Sequence, residues 1–375
     1  LAINWKTIFI KSDSTFLDEK KKIIIDTSML PEFKLDHIQR LTDDTGIVQH
    51  ARYGIPNLKE GYCLDDNARA LIMALMSYRQ SKDEQALNYI QIYLSYIQYM
   101  QTSKGTFRNF LSFSRNFLDE EGSEDSFGRT IWALAYLIYR SPKLSYREFG
   151  TEIFGNSIAN FDKLVHLRGI ANTLIGISYY IKSFPSDEEM IQKMKTMSKT
   201  LTDAFENNSS DDWEWFEDKL TYDNAILPLS LLHTVEITGD EYVKNIAIKA
   251  VKFLEKVTLS EGYLSIVGSD GGYPKGGKRA VFDQQAIDTM ASVRMFYQAY
   301  KITKETDYLE KMYLSYLWYL GENGLRIPLY DYETCGCCDG LKSDGVNRNQ
   351  GAESTLAYLI SHITVVNSIE YEFEH

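Results

Sequence analysis

Asp65, Asp66 and Asn67 stand together in "GYCLDDNARALIMAL" (61–75), at the mouth of an apolar run. Comparable groups recur downstream: Glu124 and Asp125 in "EDSFGRTIWALAYL"; Tyr222, Asp223 and Asn224 in "LTYDNAILPLSLLHT"; Asp283, Gln284 and Gln285 in "FDQQAIDTMASVRMFYQAY"; Asn349, Gln350 and Glu353 in "NQGAESTLAYLISHI". Taken singly, each acid or amide is a good helix N-cap, because its side-chain oxygen accepts an orphan backbone N–H. Asp65 is expected to play that part. A cap needs one acceptor, however, and these groups supply two or three.

Carboxyl groups crowded in a partly dry cleft push one another's pKa values apart, so that one stays protonated while another stays ionised. Glycoside cleavage uses that division: an acid protonates the leaving oxygen, and a carboxylate activates water or attacks the anomeric carbon. Asp66, Asp125, Asp283 and Glu353 form the candidate catalytic pool. Glu353, among the small residues of "GAESTLAYL", is expected to be buried and to act as the acid, with Asp66 as base or nucleophile. Asp65, Asn67, Tyr222, Asp223, Asn224, Gln284, Gln285, Asn349 and Gln350 are candidate ligands for sugar hydroxyls. The stretch "LTDDTGIVQHARYGIPNLKEGYC" (41–63) runs into the first group and brings Asp43, Asp44, Gln49, His50, Arg52 and Tyr53 as further candidates. Trp213 and Trp215, with Phe216 in "DDWEWF", are either stacking platforms for sugars or a packing plug.

Positioning these residues requires a repeat. The five segments above, with "HLRGIANTLIGISYY" (166–180), make six helix-spaced runs rich in Ala and Gly. Between them lie amphipathic runs that open with Asp, Glu or Ser, such as "DEQALNYIQIYLSYIQYMQ" and "DEYVKNIAIKAVKFLEKV". Small residues suit inner helices crowded near an axis, and charged faces suit outer helices in water. Six such pairs predict an all-α (α/α)6 toroid over 30–375, preceded by an N-terminal extension, 1–29. The sixth outer helix has only "LPEFKLDHIQRL" (30–41) available and is expected to be short. An open solenoid would keep a more regular period. The long linkers here instead precede inner helices, which would gather them at one end of the ring.

A net charge of −12 and no basic run longer than "EKKKI" argue against nucleic acid. No apolar stretch reaches the eighteen or so residues of a membrane span, and the start lacks a signal-like block, so a cytoplasmic location is expected. Cys335, Cys337 and Cys338 in "ETCGCCDGL" are too crowded to converge on one tetrahedral ion, so neither metal nor cofactor is expected. Lys275, Lys278 and Arg279 in the glycine-rich "SDGGYPKGGKRAVFD" leave room for an anionic substrate group or for phosphate as acceptor near Asp283. Dinucleotide, serine-hydrolase and zinc-protease motifs are absent from the sequence.

The strings "LTDDTGIVQHARYGIP", "GYCLDDNARALI", "WEWFEDKLTYDNAILP", "FDQQAIDTM" and "DGVNRNQGAESTLAYL" together resemble a bacterial toroid domain of glycan metabolism. That glycosidase-related family occurs alone or fused to group 1 glycosyltransferases. The resemblance implies the glycoside-hydrolase toroid, an oligosaccharide substrate and a glycosyltransferase as functional partner. The adjacent Asp65 and Asp66 also look similar to the catalytic pair of endo-α-1,6-mannanase toroids, which adds mannose-containing glycans to the candidates. Two other readings remain open: a carbohydrate-binding module without turnover, and a toroid-type lyase or sugar epimerase, which needs a proton-abstracting His or Tyr and has only His37, His50 and His166 to draw on.

Overall fold

The computed structural model describes residues 30–374; the extension at 1–29 lies outside the described residues. The described residues form twelve α-helices: α1 (Asp36–Leu41), α2 (Leu64–Ser81), α3 (Glu84–Met100), α4 (Glu124–Arg140), α5 (Leu144–Ser157), α6 (Leu167–Ser183), α7 (Glu188–Asn208), α8 (Ile226–Thr238), α9 (Glu241–Thr258), α10 (Ala286–Thr303), α11 (Asp307–Leu317) and α12 (Ala352–Glu374). The even-numbered helices pack in sequence order, α2 on α4, α4 on α6, and so on to α12, which returns to α2. The ring is therefore closed, and the fold is an (α/α)6 toroid. The odd-numbered helices pack outside it, with six-residue α1 completing the outer layer against α12. No helix among the described residues is long and apolar enough to cross a membrane.

Small residues allow the inner ring to tighten where the sequence places them. A Cβ on Gly128 of α4 would come within 2.5 Å of the Gly169 carbonyl oxygen on α6, and one on Gly176 within 2.9 Å of the Trp132 backbone nitrogen. Larger residues at these positions would force α4 and α6 apart. Outer helices follow the amphipathic rule, burying one stripe: in α9 it comprises Val243, Ile246, Ala247, Ala250, Val251, Phe253 and Leu254.

Short strands lace the loops that lead into the inner helices. Tyr62–Cys63 pairs with Phe110–Leu111, and Lys219–Leu220 with Tyr273–Pro274. Gln284–Gln285, Gly340–Lys342 and Gly345–Asn347 form a three-stranded ladder, while Arg52 bridges Asn349. Apart from the hairpin of Gly340–Lys342 with Gly345–Asn347, which lies within the loop before α12, these pairings join loops that precede different inner helices. The loops are thereby drawn to the end of the ring where the inner N-termini open.

Candidate active site

Outer helices α3, α7 and α9 are capped by Asp83, Asp187 and Asp240, each accepting a backbone N–H. Inner helices α2, α6, α8 and α10 have no side-chain cap; α4 uses Ser123. Asp65 is thus not the cap expected for it. Helix α2 begins at Leu64 after an extended Cys63, leaving Asp65 and Asp66 in the first turn with their carboxyl groups free for other partners. About 100° apart on the helix, they reach different arginines.

Asp66 Oδ1 lies 3.1 Å from Arg69 Nη1, one turn along α2. The other guanidinium nitrogen, Nη2, reaches Glu353 Oε2 of α12 at 2.9 Å. One cation therefore holds together two carboxyl groups that come from opposite ends of the chain. The Cys63 thiol donates to Asp66 Oδ2 at 3.1 Å. Asp65 faces a second buried arginine, Arg129 of α4, whose Nε lies 3.4 Å from Asp65 Oδ1 without hydrogen-bond geometry. Arg129 Nη2 donates to both Asp125 and Asp223 at 2.9 Å. Asp125 also accepts from Tyr222 Oη (2.7 Å) and Asn172 Nδ2 (2.9 Å). Arg168 holds this side of the ring, donating to the Tyr222 carbonyl (2.7 Å) and to both oxygens of Glu217 (3.1 Å each).

Electrostatics separate these acids. Burial raises Asp66 to about 7, against the pull of Arg69 and with the help of the Glu353 charge. Burial likewise raises Asp288, in the first turn of α10, to about 8, with Asp223 adding repulsion. Asp65 and Asp223 are also raised by burial, with the arginines opposing. Burial works against ionisation of Asp125, yet Arg129 and the Tyr222 hydroxyl hold it below its ordinary value. Glu353 departs from expectation: its side chain is 45% exposed, whereas that of Asp66 is 6% exposed. The small neighbours of Glu353 open the mouth around it rather than covering it.

A cavity of about 360 Å³ opens at this end of the ring. Asp65, Asp66, Asp283, Asp339 and Glu353 line it, with Arg69, Lys342, His50 and Phe110. Its size suits a small part of an oligosaccharide. Gln49, Gln285, Gly351, Ser269 and Ser354 complete much of the wall. His50 Nδ1 contacts Asn349 Nδ2 at 2.8 Å, and that amide also donates to Asp339.

Several other candidates are structural. Asn67 is buried, accepting from Ile47 N–H at 3.1 Å and donating to the Cys63 carbonyl at 2.8 Å. Asn224 accepts from Thr221 N–H. Gln284, although it lines the cavity, spends its side-chain oxygen on Trp318 Nε1, and Gln350 donates to Asp331 while its carbonyl meets His37. Asp43 accepts from Tyr62 Oη, and Asp44 pairs with Arg115. Arg52 stacks on exposed Tyr53, and neither lines the cavity. Trp213 and Trp215 are a plug: both are buried, their rings edged against Phe253, Tyr273 and Phe216. They offer no free face to a sugar. Lys275 and Arg279 donate instead to the carbonyls of Asn208, Val257 and Ser265, and neither they nor Lys278 line the cavity.

Sequence reasoning overlooked Arg69, Arg129, Asp288, Asp339, Cys63 and Phe110 as parts of this end of the ring. A usable signal existed for the arginines. Asp66 and Arg69 are spaced i, i+3, and Asp125 and Arg129 i, i+4, within runs otherwise apolar.

No protein-family model matches the chain. No curated protein matches it either. Solved structures do. A sugar epimerase from a ruminal bacterium superposes with a TM-score of 0.70 at 12% identity, over 89% of this chain and 94% of that one. The GH76 α-mannanase of Bacteroides thetaiotaomicron gives 0.64 at 12% identity, over 91% and 94%. An inactive variant of the α-1,6-mannanase GH76A of Salegentibacter sp., in which two consecutive aspartates are replaced by alanine, is bound to α-1,6-mannotetrose and gives 0.60 at 13% identity, over 89% and 97%. At these identities the likeness establishes the fold, one shared by toroidal sugar epimerases and glycoside hydrolases.

Proposed function

We propose that the protein is a glycoside hydrolase that cleaves an oligosaccharide in the funnel of the toroid, with mannose-containing glycans the first substrates to test. The observation that carries this reading is the Asp66–Arg69–Glu353 arrangement. A buried carboxyl group titrating at about 7 shares one guanidinium with an accessible carboxylate at the same cavity. The environments of the two groups favour roles opposite to those expected from sequence. Asp66, protonated in a large fraction at neutral pH, donates its proton to the glycosidic oxygen as the bond to the anomeric carbon breaks. Glu353, open to solvent, is the carboxylate that activates water or attacks that carbon. Arg69 fixes the spacing of both. The inactive aspartate variant of the mannanase toroid supports a functional role for adjacent aspartates in this fold.

A second reading, epimerisation of a sugar, is favoured by the fold likeness to a sugar epimerase and by His50 on the cavity wall. Incubating the protein with an oligosaccharide panel in D2O separates the two. Hydrolysis produces new reducing ends with no carbon-bound deuterium. Deuterium entering at carbon without new reducing ends would overturn the hydrolase reading in favour of epimerisation.

A further inference from the structure

The loop at 101–123, between α3 and α4, exposes three phenyl rings: Phe110 at 41%, Phe113 at 45% and Phe117 at 39%. Its backbone is held firmly. The Asp119 carboxylate accepts from Asn109 N–H (2.8 Å) and Phe110 N–H (2.9 Å), and Leu118 N–H donates to the Phe110 carbonyl (3.0 Å). Phe113 stacks with Tyr62, and Phe117 packs against Tyr99 and beneath Arg108. Among the described residues no ring or cation covers Phe110. A fixed, uncovered apolar ring on a cavity wall is costly in water and suited to a ligand face.

Register places that ring. Phe110 pairs directly with Cys63 in the antiparallel ladder. Side chains paired in this way lie on one face of the ladder, their Cβ atoms about 4.5–5.5 Å apart. Phe110 therefore stands beside the thiol that donates to Asp66, and both residues line the cavity.

We infer that Phe110 is the stacking platform for the sugar on the leaving-group side of the scissile bond, binding the C–H face of a neutral pyranose. The inference rests on the hydrolase reading for its direction: the acid at Asp66 meets the leaving oxygen, so the ring next to it meets the leaving sugar. The occupant is a neutral sugar because five carboxyl groups and only two permanent cations, Arg69 and Lys342, line this cavity.

The test compares wild type, Phe110→Ala and Phe110→Trp on an array of neutral tetrasaccharides that includes α-1,6-mannotetraose. Phe110→Ala is expected to weaken binding of the best glycan by about three- to tenfold, and Phe110→Trp to retain it, as an aromatic contact of ordinary strength requires. In turnover, Phe110→Ala loses several-fold more kcat/KM on that tetrasaccharide than on the matching glycosyl fluoride, which has no leaving sugar. Equal losses on both substrates, unaltered binding by Phe110→Ala, or no glycan bound by wild type would overturn the inference. Wild type that binds without releasing product would remove the hydrolase reading, and the binding comparison would still decide the role of Phe110.

Discussion

Asp66→Asn is expected to make the protein more stable relative to wild type as pH rises. The folded protein holds the Asp66 proton more tightly than the unfolded chain, with a pKa raised from 3.8 to about 7. Stability from this group is fully present below about pH 4 and is lost as pH rises through 7, after which no further loss follows. At about 1.4 kcal/mol per unit, that window bounds the effect at about 4 kcal/mol. Asparagine has nearly the same shape and cannot ionise, so it escapes the loss. Its amide oxygen can still accept from Arg69, as the protonated carboxyl does, and the pull of Arg69 on the ionised form is already contained in the raised pKa, so what remains shifts the curves by a constant. The slope is therefore the diagnostic quantity. Urea unfolding at fixed ionic strength should show the stability difference, variant minus wild type, climbing by about 2–4 kcal/mol between pH 4.5 and 7.5. Asp288→Asn should show a similar climb that continues to about pH 8, because Asp288 is raised to about 8. A flat difference for Asp66→Asn, or one that falls with pH, would mean that Asp66 is ionised throughout, and the proposed acid would have to be sought elsewhere.

Removing the thiol donor in Cys63→Ala takes away a hydrogen bond that favours the ionised carboxyl, so the alkaline limb of the kcat/KM profile should move up by about 0.5–1 pH unit; an unmoved limb would dissociate Cys63 from the acid. Arg129→Met strands Asp125 and Asp223 without their shared buried cation and should cost about 3–5 kcal/mol in urea unfolding at pH 7. An unchanged midpoint would contradict the ion-pair account of this side of the ring. Trp215→Ala should cost about 3–5 kcal/mol of stability while the folded protein keeps its glycan affinity. A tenfold affinity loss at unaltered stability would return Trp215 to the sugar.

The ring itself was legible because two kinds of helix alternate along the chain. Gly128, Gly169 and Gly176 mark helices that approach closely, and the stripe of α9 marks one that faces water. Even the short α1 falls within 30–41, the one segment whose pattern suits the sixth outer helix. The arginines were hidden by the general rule that buried cations are rare. Arg69 and Arg129 break it because each has two or more carboxyl partners, and some of those partners lie on other helices. Small neighbours in the sequence suggest cover for Glu353, whereas at the first turn of α12 its side chain stays open to solvent. The tryptophans required tertiary information, since only the positions of Phe253 and Tyr273 turn "DDWEWF" from a platform into a plug. The two- and three-residue ladders are too short for any periodicity to register, and one of them sets Phe110 beside Cys63.

The most direct measurement is product release from a neutral oligosaccharide panel by wild type, Asp66→Asn and Glu353→Gln, with binding of the same glycans measured in parallel. Wild type should release sugar, and each variant should lose about 10²–10⁴-fold in turnover while still binding. Turnover unaltered in both variants would contradict the assignment of Asp66 and Glu353 as the catalytic pair.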